Sequence, residues 1–139
     1  MSNLSQDDLY LLQDNILYIA VQFDDFCQKN NINYFLLGGT ALGAIRHGGF
    51  IPWDDDFDVC MNFLDYQKFM KLWPEKGSND IYLQLECTDE WPLYFSKLRL
   101  DNSLYMEDED YGRKMHNGIY IDIMCLNNTF NNIILRYTQ

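Results

Sequence analysis

Four aspartates occupy positions 54, 55, 56 and 58, and an apolar segment follows them directly in the stretch PWDDDFDVCM. Two like charges 4 Å apart repel each other by about 4 kcal/mol at an effective dielectric constant near 20. A fold that holds these carboxylates together must solvate them or bind a cation between them. This stretch therefore constrains the local structure more than any other part of the sequence.

Alternation along a strand gives the aspartates a specific arrangement. If a strand begins early enough, Asp54, Asp56 and Asp58 share one face, and the apolar residues between and after them share the other. Paired carboxylates on a strand with a buried back can offer ligands to a divalent cation. A calcium-binding EF-hand loop is disfavoured, because Val59 stands where that loop requires glycine. A solvated acidic turn stays open as an alternative.

A glycine pair precedes the acidic stretch. Gly38 and Gly39 lead into Thr40 at the point where a strand candidate, residues 34–37, meets a short helix candidate, residues 40–47. Backbone N–H groups at such a junction can bind a phosphate, helped by the helix dipole. Turns also use glycine for conformational reasons alone. Followed by the D-x-D pattern on the next strand, however, the glycines predict one element for phosphate and another for a metal ion.

A third acid and two cations lie on later strand candidates. Asp122 interrupts the apolar segment GIYIDIMCL, where a lone carboxylate is costly unless it is paired, bound to metal or facing water at a sheet edge. Lys97 and Arg99 share one face of the segment YFSKLRL. They can bind donor phosphates or form ion pairs with the aspartates. Arg46, in the helix after the glycines, is a further candidate for binding substrate.

Composition limits the class of protein. The chain has 139 residues and a formal charge of −11, which fits one domain and argues against a general nucleic-acid binder. The isolated cysteines at 27, 60, 87 and 125 predict buried free thiols rather than a zinc site or disulfides. We find no signal peptide and no apolar run that could span a membrane. These features predict a cytoplasmic protein without an integral membrane segment.

The periodicity predicts helices that interrupt short strands. An amphipathic helix is expected over residues 5–30, and another runs from residue 64 to residue 73 before Pro74. The polar stretch 101–117 is predicted to be a loop or a mobile lid. Strand candidates are residues 34–37, 56–62, 81–87, 94–100 and 119–125. The expected fold is α+β, with α/β-like features: a small mixed sheet flanked by helices.

The motifs together resemble a known family. G-G-T, then D-x-D, then a distant strand aspartate is similar to the nucleotidyltransferase fold, and the longer run GGTALGAIRHGGFIPWDDDFDV with KLRL and GIYIDI resembles the LicD family. That family includes phosphorylcholine transferases and is related to fukutin-type ribitol-phosphate transferases. The resemblance implies one domain over residues 1–139, with an N-terminal helix at 5–30 and a catalytic core at 33–127. The family's usual C-terminal portion is expected to be missing, and DIMCLNN replaces the usual DIFPLD.

The resemblance also implies an activity. The expected reaction is transfer of a phosphoryl-alcohol group, such as phosphocholine, from a CDP-linked donor to a hydroxyl of a glycan or glycolipid, as in lipopolysaccharide or teichoic acid biosynthesis. Mg²⁺ or Mn²⁺ would be bound by Asp56 and Asp58, with Asp122 as a third carboxylate, either a shared ligand or the base. Asp54 would support them. The implied substrate-binding residues are Gly38, Gly39, Thr40, Arg46, Lys97 and Arg99.

Two alternatives stay open. A related enzyme could transfer a nucleoside monophosphate to a small molecule or a protein, and it would then release pyrophosphate instead of CMP. A non-catalytic remnant could also keep the fold and act as a binding or regulatory protein. The D-x-D pair and Asp122 favour an enzyme, whereas the short chain favours the remnant.

Overall fold

The computed structural model describes residues 4–88, 90–106 and 112–127. The first helix, α1, spans Gln6–Lys29, and the Ser5 hydroxyl caps it by accepting a hydrogen bond from the Asp8 N–H at 3.2 Å. Its C-terminal end is held by Lys68, whose ammonium donates to the Asn30 carbonyl at 2.6 Å. The amphipathic helix that the sequence predicted at 5–30 is therefore present.

Five strands form one mixed sheet in the order β1-β2-β5-β4-β3. β2 and β5 are parallel, and the other neighbouring pairs are antiparallel. Helix α2 spans Gly38–His47 and α3 spans Phe63–Lys76. The α+β fold with a small mixed sheet is thus confirmed. The strands are β1 Phe35–Leu36, β2 Asp58–Asn62, β3 Ile81–Gln84, β4 Ser96–Leu100 and β5 Tyr120–Leu126.

The two faces of the sheet differ in chemistry. One face packs against α1 and α3, and its fully buried residues include Val59, Met61, Leu98, Ile121 and Ile123. Because side chains alternate along each strand, the residues between these project from the other face. The register places Asp122 beside both Asp58 and Lys97, and Arg99 beside Tyr120. The charged side chains of these strands, those of Asp58, Lys97, Arg99 and Asp122, therefore lie on this second face, which we call the polar face.

Strand β2 begins two residues later than the predicted strand 56–62. β2 begins at Asp58, so Asp54 and Asp56 precede the strand and do not belong to it. A turn closes there, because the Asp54 N–H donates to the Ile51 carbonyl at 2.9 Å. The Gln13 side chain of α1 then donates to the Asp54 carbonyl at 2.8 Å. The backbone around Asp54 thus forms hydrogen bonds within a turn and with helix α1. A strand would instead form them with a neighbouring strand.

The end of α3 and one prediction about the cysteines also differ from the sequence analysis. Helix α3 continues past Pro74 to Lys76, and the Gly77 N–H closes its last turn on the Trp73 carbonyl. All four cysteines are free; Cys27 and Cys60 are buried as predicted, but Cys87 is exposed. Of the predicted lid, residues 101–106 and 112–117 contain neither helix nor strand, and 107–111 lie outside the described residues.

Within the described ranges, no helix has the length and apolar character to cross a membrane.

Candidate active site

The glycine pair and the acidic stretch meet at the N-terminus of α2. Gly38 has a φ of +56°, a conformation that favours glycine, and a Cβ atom there would lie 3.4 Å from Asp58 Oδ2. A Cβ atom on Gly39 would lie 2.9 Å from Asp54 Oδ2. Thr40 joins the two elements, since its hydroxyl accepts a hydrogen bond from the Asp58 N–H at 2.9 Å. The structure therefore brings the predicted phosphate-binding residues Gly38, Gly39 and Thr40 next to Asp58, a predicted metal ligand, and Asp54.

Asp56 lies within electrostatic reach of the other acids. Its pKa is raised to about 7, first by burial and then by the negative charges of Asp58, Asp54, Asp55 and Asp122. The repulsion identified in the sequence is therefore a property of the folded chain. The Asp56 carboxyl group therefore binds a proton at a higher pH than an ordinary aspartate does.

The pKa of Asp58 is affected by charges of both signs. Burial and the charge of Asp54 raise its pKa, whereas the Lys97 ammonium lowers it. Asp58 is also directly paired in register with Asp122 on the parallel strand β5. These two carboxylates project from the same face of adjacent strands, and the Lys97 ammonium on β4 offsets part of their negative charge.

Lys97 forms the ion pair that the sequence left open as an alternative. Its ammonium lies 3.0 Å from Asp122 Oδ1, and its side chain is only 2% exposed. Arg99 is fully buried; its Nε donates to Gln84 Oε1 at 2.7 Å and its Nη1 to the Gly118 carbonyl at 3.0 Å. Both side chains are thus buried and bound to other residues of the fold.

Arg46 lies far from this cluster. It is exposed in the last turn of α2, eight residues after Gly38. At 1.5 Å per residue, this separation is about 12 Å along the helix axis. The structure does not bring Arg46 to the glycine and aspartate cluster.

Aromatic residues complete the polar face, and the sequence did not identify them. The Lys97 ammonium lies 3.2 Å from the centre of the Tyr120 ring and 5.0 Å from that of Trp91. Tyr120 could have been predicted, because it stands two residues before Asp122 on the same strand face. Trp91 belongs to the connection between β3 and β4, where no periodicity indicates a contact. Asp55 is also held by an aromatic residue, since the Tyr105 hydroxyl donates to its Oδ2 at 3.0 Å.

The donor atoms at this junction suit a hard divalent cation. Carboxylate oxygens are the ligands that Mg²⁺ and Mn²⁺ prefer, and Asp56 and Asp58 provide them where other acids already raise the negative potential. Across the part of the chain that the structure describes, no three Asp, Glu, His or Cys residues form a complete metal-binding group. Mg²⁺ commonly uses one or two carboxylates together with water and substrate phosphates. The Asp56 and Asp58 pair fits such a shared site.

Two glycines of α2 allow a matched test of this packing. Gly39→Ala should change stability by less than about 1 kcal/mol, because the added methyl meets only the movable Asp54 carboxylate. Gly43→Ala should cost about 1–3 kcal/mol, since its methyl would lie 2.6 Å from the Gly49 carbonyl oxygen of the backbone. Thermal unfolding of both variants measures the difference. Equal losses of stability would contradict the packing described for Gly39.

Sequence comparisons relate this chain to known proteins. The sequence model of a family described as "LicD/FKTN/FKRP, nucleotidyltransferase domain" matches residues 31–132. A lipopolysaccharide cholinephosphotransferase LicD of Haemophilus influenzae is 53% identical over 57 residues, which are 41% of this chain and 22% of that protein. The human ribitol 5-phosphate transferase FKRP is 57% identical over 28 residues, which are 20% of this chain and 6% of that protein.

A third relative, an uncharacterized protein of Rickettsia typhi, is 47% identical over 47 residues, which are 34% of this chain and 15% of that protein. Each match thus spans less than a quarter of the relative's own length. The family match is broader, because it includes α2 and β1 through β5. It contains the glycine pair, the acidic stretch and Asp122. The chain therefore belongs to the LicD/FKTN/FKRP family and carries its nucleotidyltransferase domain.

Proposed function

We propose that this chain is a metal-dependent transferase that moves a phosphoryl-alcohol group from a CDP-linked donor to a hydroxyl of a glycan or glycolipid. The observation that carries the proposal is the junction of α2 and β2, where Gly38 and Gly39 abut the carboxylates of Asp58 and Asp54. The names of two relatives, a cholinephosphotransferase and a ribitol 5-phosphate transferase, support this class of reaction.

The residues divide the work between phosphate and metal. Backbone N–H groups at Gly38 and Gly39 are proposed to bind the donor diphosphate, because glycine lets the phosphate approach the helix N-terminus closely. Asp56 and Asp58 are proposed to hold Mg²⁺ or Mn²⁺. The ion, when bound, would offset the negative charge of the diphosphate during in-line displacement. Thr40 keeps the two elements together through its hydrogen bond to the Asp58 N–H.

The proposed step exchanges one phosphorus–oxygen bond for another. The acceptor hydroxyl oxygen attacks the phosphorus that carries the alcohol, and a new P–O bond forms. The P–O bond to the bridging oxygen breaks, and CMP leaves with the electron pair. The hydroxyl proton passes to a carboxylate, for which Asp122 is the candidate, since it lies beside Asp58 and outside the proposed metal pair.

The test is the product. The purified chain is incubated with Mn²⁺, a panel of CDP-choline, CDP-ribitol and CDP-glycerol, and glycan acceptors, and release of CMP is measured. We expect CMP from at least one donor and none from Asp58→Asn. Pyrophosphate release from a nucleoside triphosphate would instead support transfer of a nucleoside monophosphate. Absence of turnover together with absence of metal-dependent donor binding would contradict an enzymatic role.

A further inference from the structure

Three cationic side chains lie around the ring of Trp91. Its ring centre lies 5.0 Å from the Lys97 ammonium, 5.7 Å from the Arg99 guanidinium and 6.0 Å from that of Arg113. The whole chain has only 10 lysines and arginines against 21 acids. Three of these cations therefore contact one indole, close to the acidic residues that the reaction is proposed to use.

Trp91 is itself firmly held. Its residue is 3% exposed, and its indole N–H donates to the Phe95 carbonyl at 2.7 Å. Its backbone N–H donates to the Thr88 hydroxyl at 3.0 Å, and its carbonyl accepts from the Thr88 N–H at 3.0 Å. The connection between β3 and β4 is thus closed into a turn that presents a fixed ring face toward Lys97.

Aromatic rings surround the Lys97 ammonium. The Lys97 ammonium lies 3.2 Å from the centre of the Tyr120 ring and 5.4 Å from the centre of the Phe95 ring. A buried ammonium loses its hydration and needs both an opposite charge and polarisable neighbours to offset that loss. Asp122 provides the charge at 3.0 Å, and the three rings provide the neighbours. The position of Lys97, and with it the orientation of the Asp122 carboxylate, depends on this enclosure.

We propose that Trp91 is a positioning residue for the transfer reaction: with Tyr120, it fixes the Lys97 ammonium against Asp122 and so orients the Asp122 carboxylate beside Asp58. This inference rests on the proposed function. It differs from a clamp role for Lys97, because Lys97 is enclosed and acts on the reaction through Asp122. Groups that orient catalytic carboxylates in this way typically contribute about 10–100-fold to activity.

The experiment compares Trp91→Leu with Trp91→Phe, and uses Trp73→Leu as the matched control. Trp73 is also 3% exposed, but its ring lies in the core on the opposite face of the sheet. The first measurement is the rate at which an amine-acylating reagent modifies Lys97, relative to Lys29, whose side chain is 76% exposed. The second is kcat and the donor KM for CMP release.

We expect Trp91→Leu to raise the relative acylation of Lys97 at least about tenfold, because the local enclosure opens. It should lower kcat by about 10–100-fold while the donor KM changes little. Trp91→Phe, which keeps a ring face, should recover most of both properties. Trp73→Leu should leave the relative acylation of Lys97 unchanged even though it weakens the core.

Three results would overturn the inference: unchanged protection of Lys97 in folded Trp91→Leu, a loss of kcat that Trp73→Leu reproduces, or an effect confined to the donor KM. If Trp91→Leu does not fold, Tyr120→Leu removes the ring nearest the ammonium and is judged by the same criteria. If the wild-type chain releases no CMP with any donor, the proposed function fails and the role in transfer fails with it. A wild-type chain that is active while Trp91→Leu stays equally active and equally protected contradicts this inference alone.

Discussion

Asp122→Asn is expected to lower the free energy of unfolding by about 3–5 kcal/mol, because it removes the carboxylate that pairs with a buried ammonium. Lys97 is 2% exposed, and its Nζ lies 3.0 Å from Asp122 Oδ1. The aromatic rings around Lys97 cannot replace a full negative charge. Urea unfolding of both chains at pH 7 measures the loss. The unfolding free energy should fall with urea concentration at the same slope in both chains.

A double variant separates the charge effect from packing. Lys97→Met removes the ammonium and keeps an unbranched apolar side chain of similar length, so Asp122→Asn combined with Lys97→Met should recover most of the lost stability. A surface substitution, Asp25→Asn on α1, should change stability by less than about 0.5 kcal/mol, because its ion pair with Lys29 is exposed. A small effect of Asp122→Asn, close to that of Asp25→Asn, would show that the Lys97 ion pair is not structurally important.

Asp56→Asn is expected to have the opposite effect on the metal-free protein. The pKa of Asp56 is raised from 3.8 to about 7, so the folded chain binds a proton that the unfolded chain releases between these pH values. The stability of the wild-type chain should therefore fall as pH rises from about 4 to about 7. Asp56→Asn should remove this dependence and raise stability at pH 8 by about 1–2 kcal/mol, a discounted value because the carboxyl is only partly buried.

The same substitution should remove the activity. Asp56 is a proposed metal ligand, so Asp56→Asn should reduce CMP release more than about 100-fold. This is more than the loss expected from changing a residue that only contacts a metal ligand. Stability and activity then move in opposite directions, as expected where like charges are kept together for a function. Unfolding of the Asp56→Asn chain, measured by circular dichroism, would indicate that the aspartates are structural.

Strand alternation correctly predicted which charged side chains share a face of the sheet. It placed Asp58, Asp122, Lys97 and Arg99 on one side of their strands, and the register of β2, β4 and β5 brings these residues to the same face. This succeeded because a strand fixes the direction of every second side chain. The family resemblance was also confirmed, since residues 31–132 match the family.

The remaining features depend on contacts between distant segments. Asp54 and Asp56 precede β2 because a turn and Gln13 of α1 bind the backbone there, and alternation within the stretch could not reveal this. The burial of Lys97 depends on Trp91, which reaches it from the connection between β3 and β4. Arg46 was predicted to bind substrate because it follows the glycines in sequence, but it lies at the opposite end of α2 from them. The first two outcomes depend on tertiary packing, which local pattern does not encode, whereas the distance of Arg46 follows from the length of α2.

The central claim is that Asp56 and Asp58 form a metal site that the donor diphosphate completes. The most direct measurement is a Mn²⁺ titration, followed by electron paramagnetic resonance, of the wild-type chain and Asp56→Asn with and without CDP-choline. We predict that Mn²⁺ binds the wild-type chain more tightly when the donor is present and that Asp56→Asn loses this binding. Equal Mn²⁺ binding by both chains, or wild-type binding that the donor does not strengthen, would contradict the account.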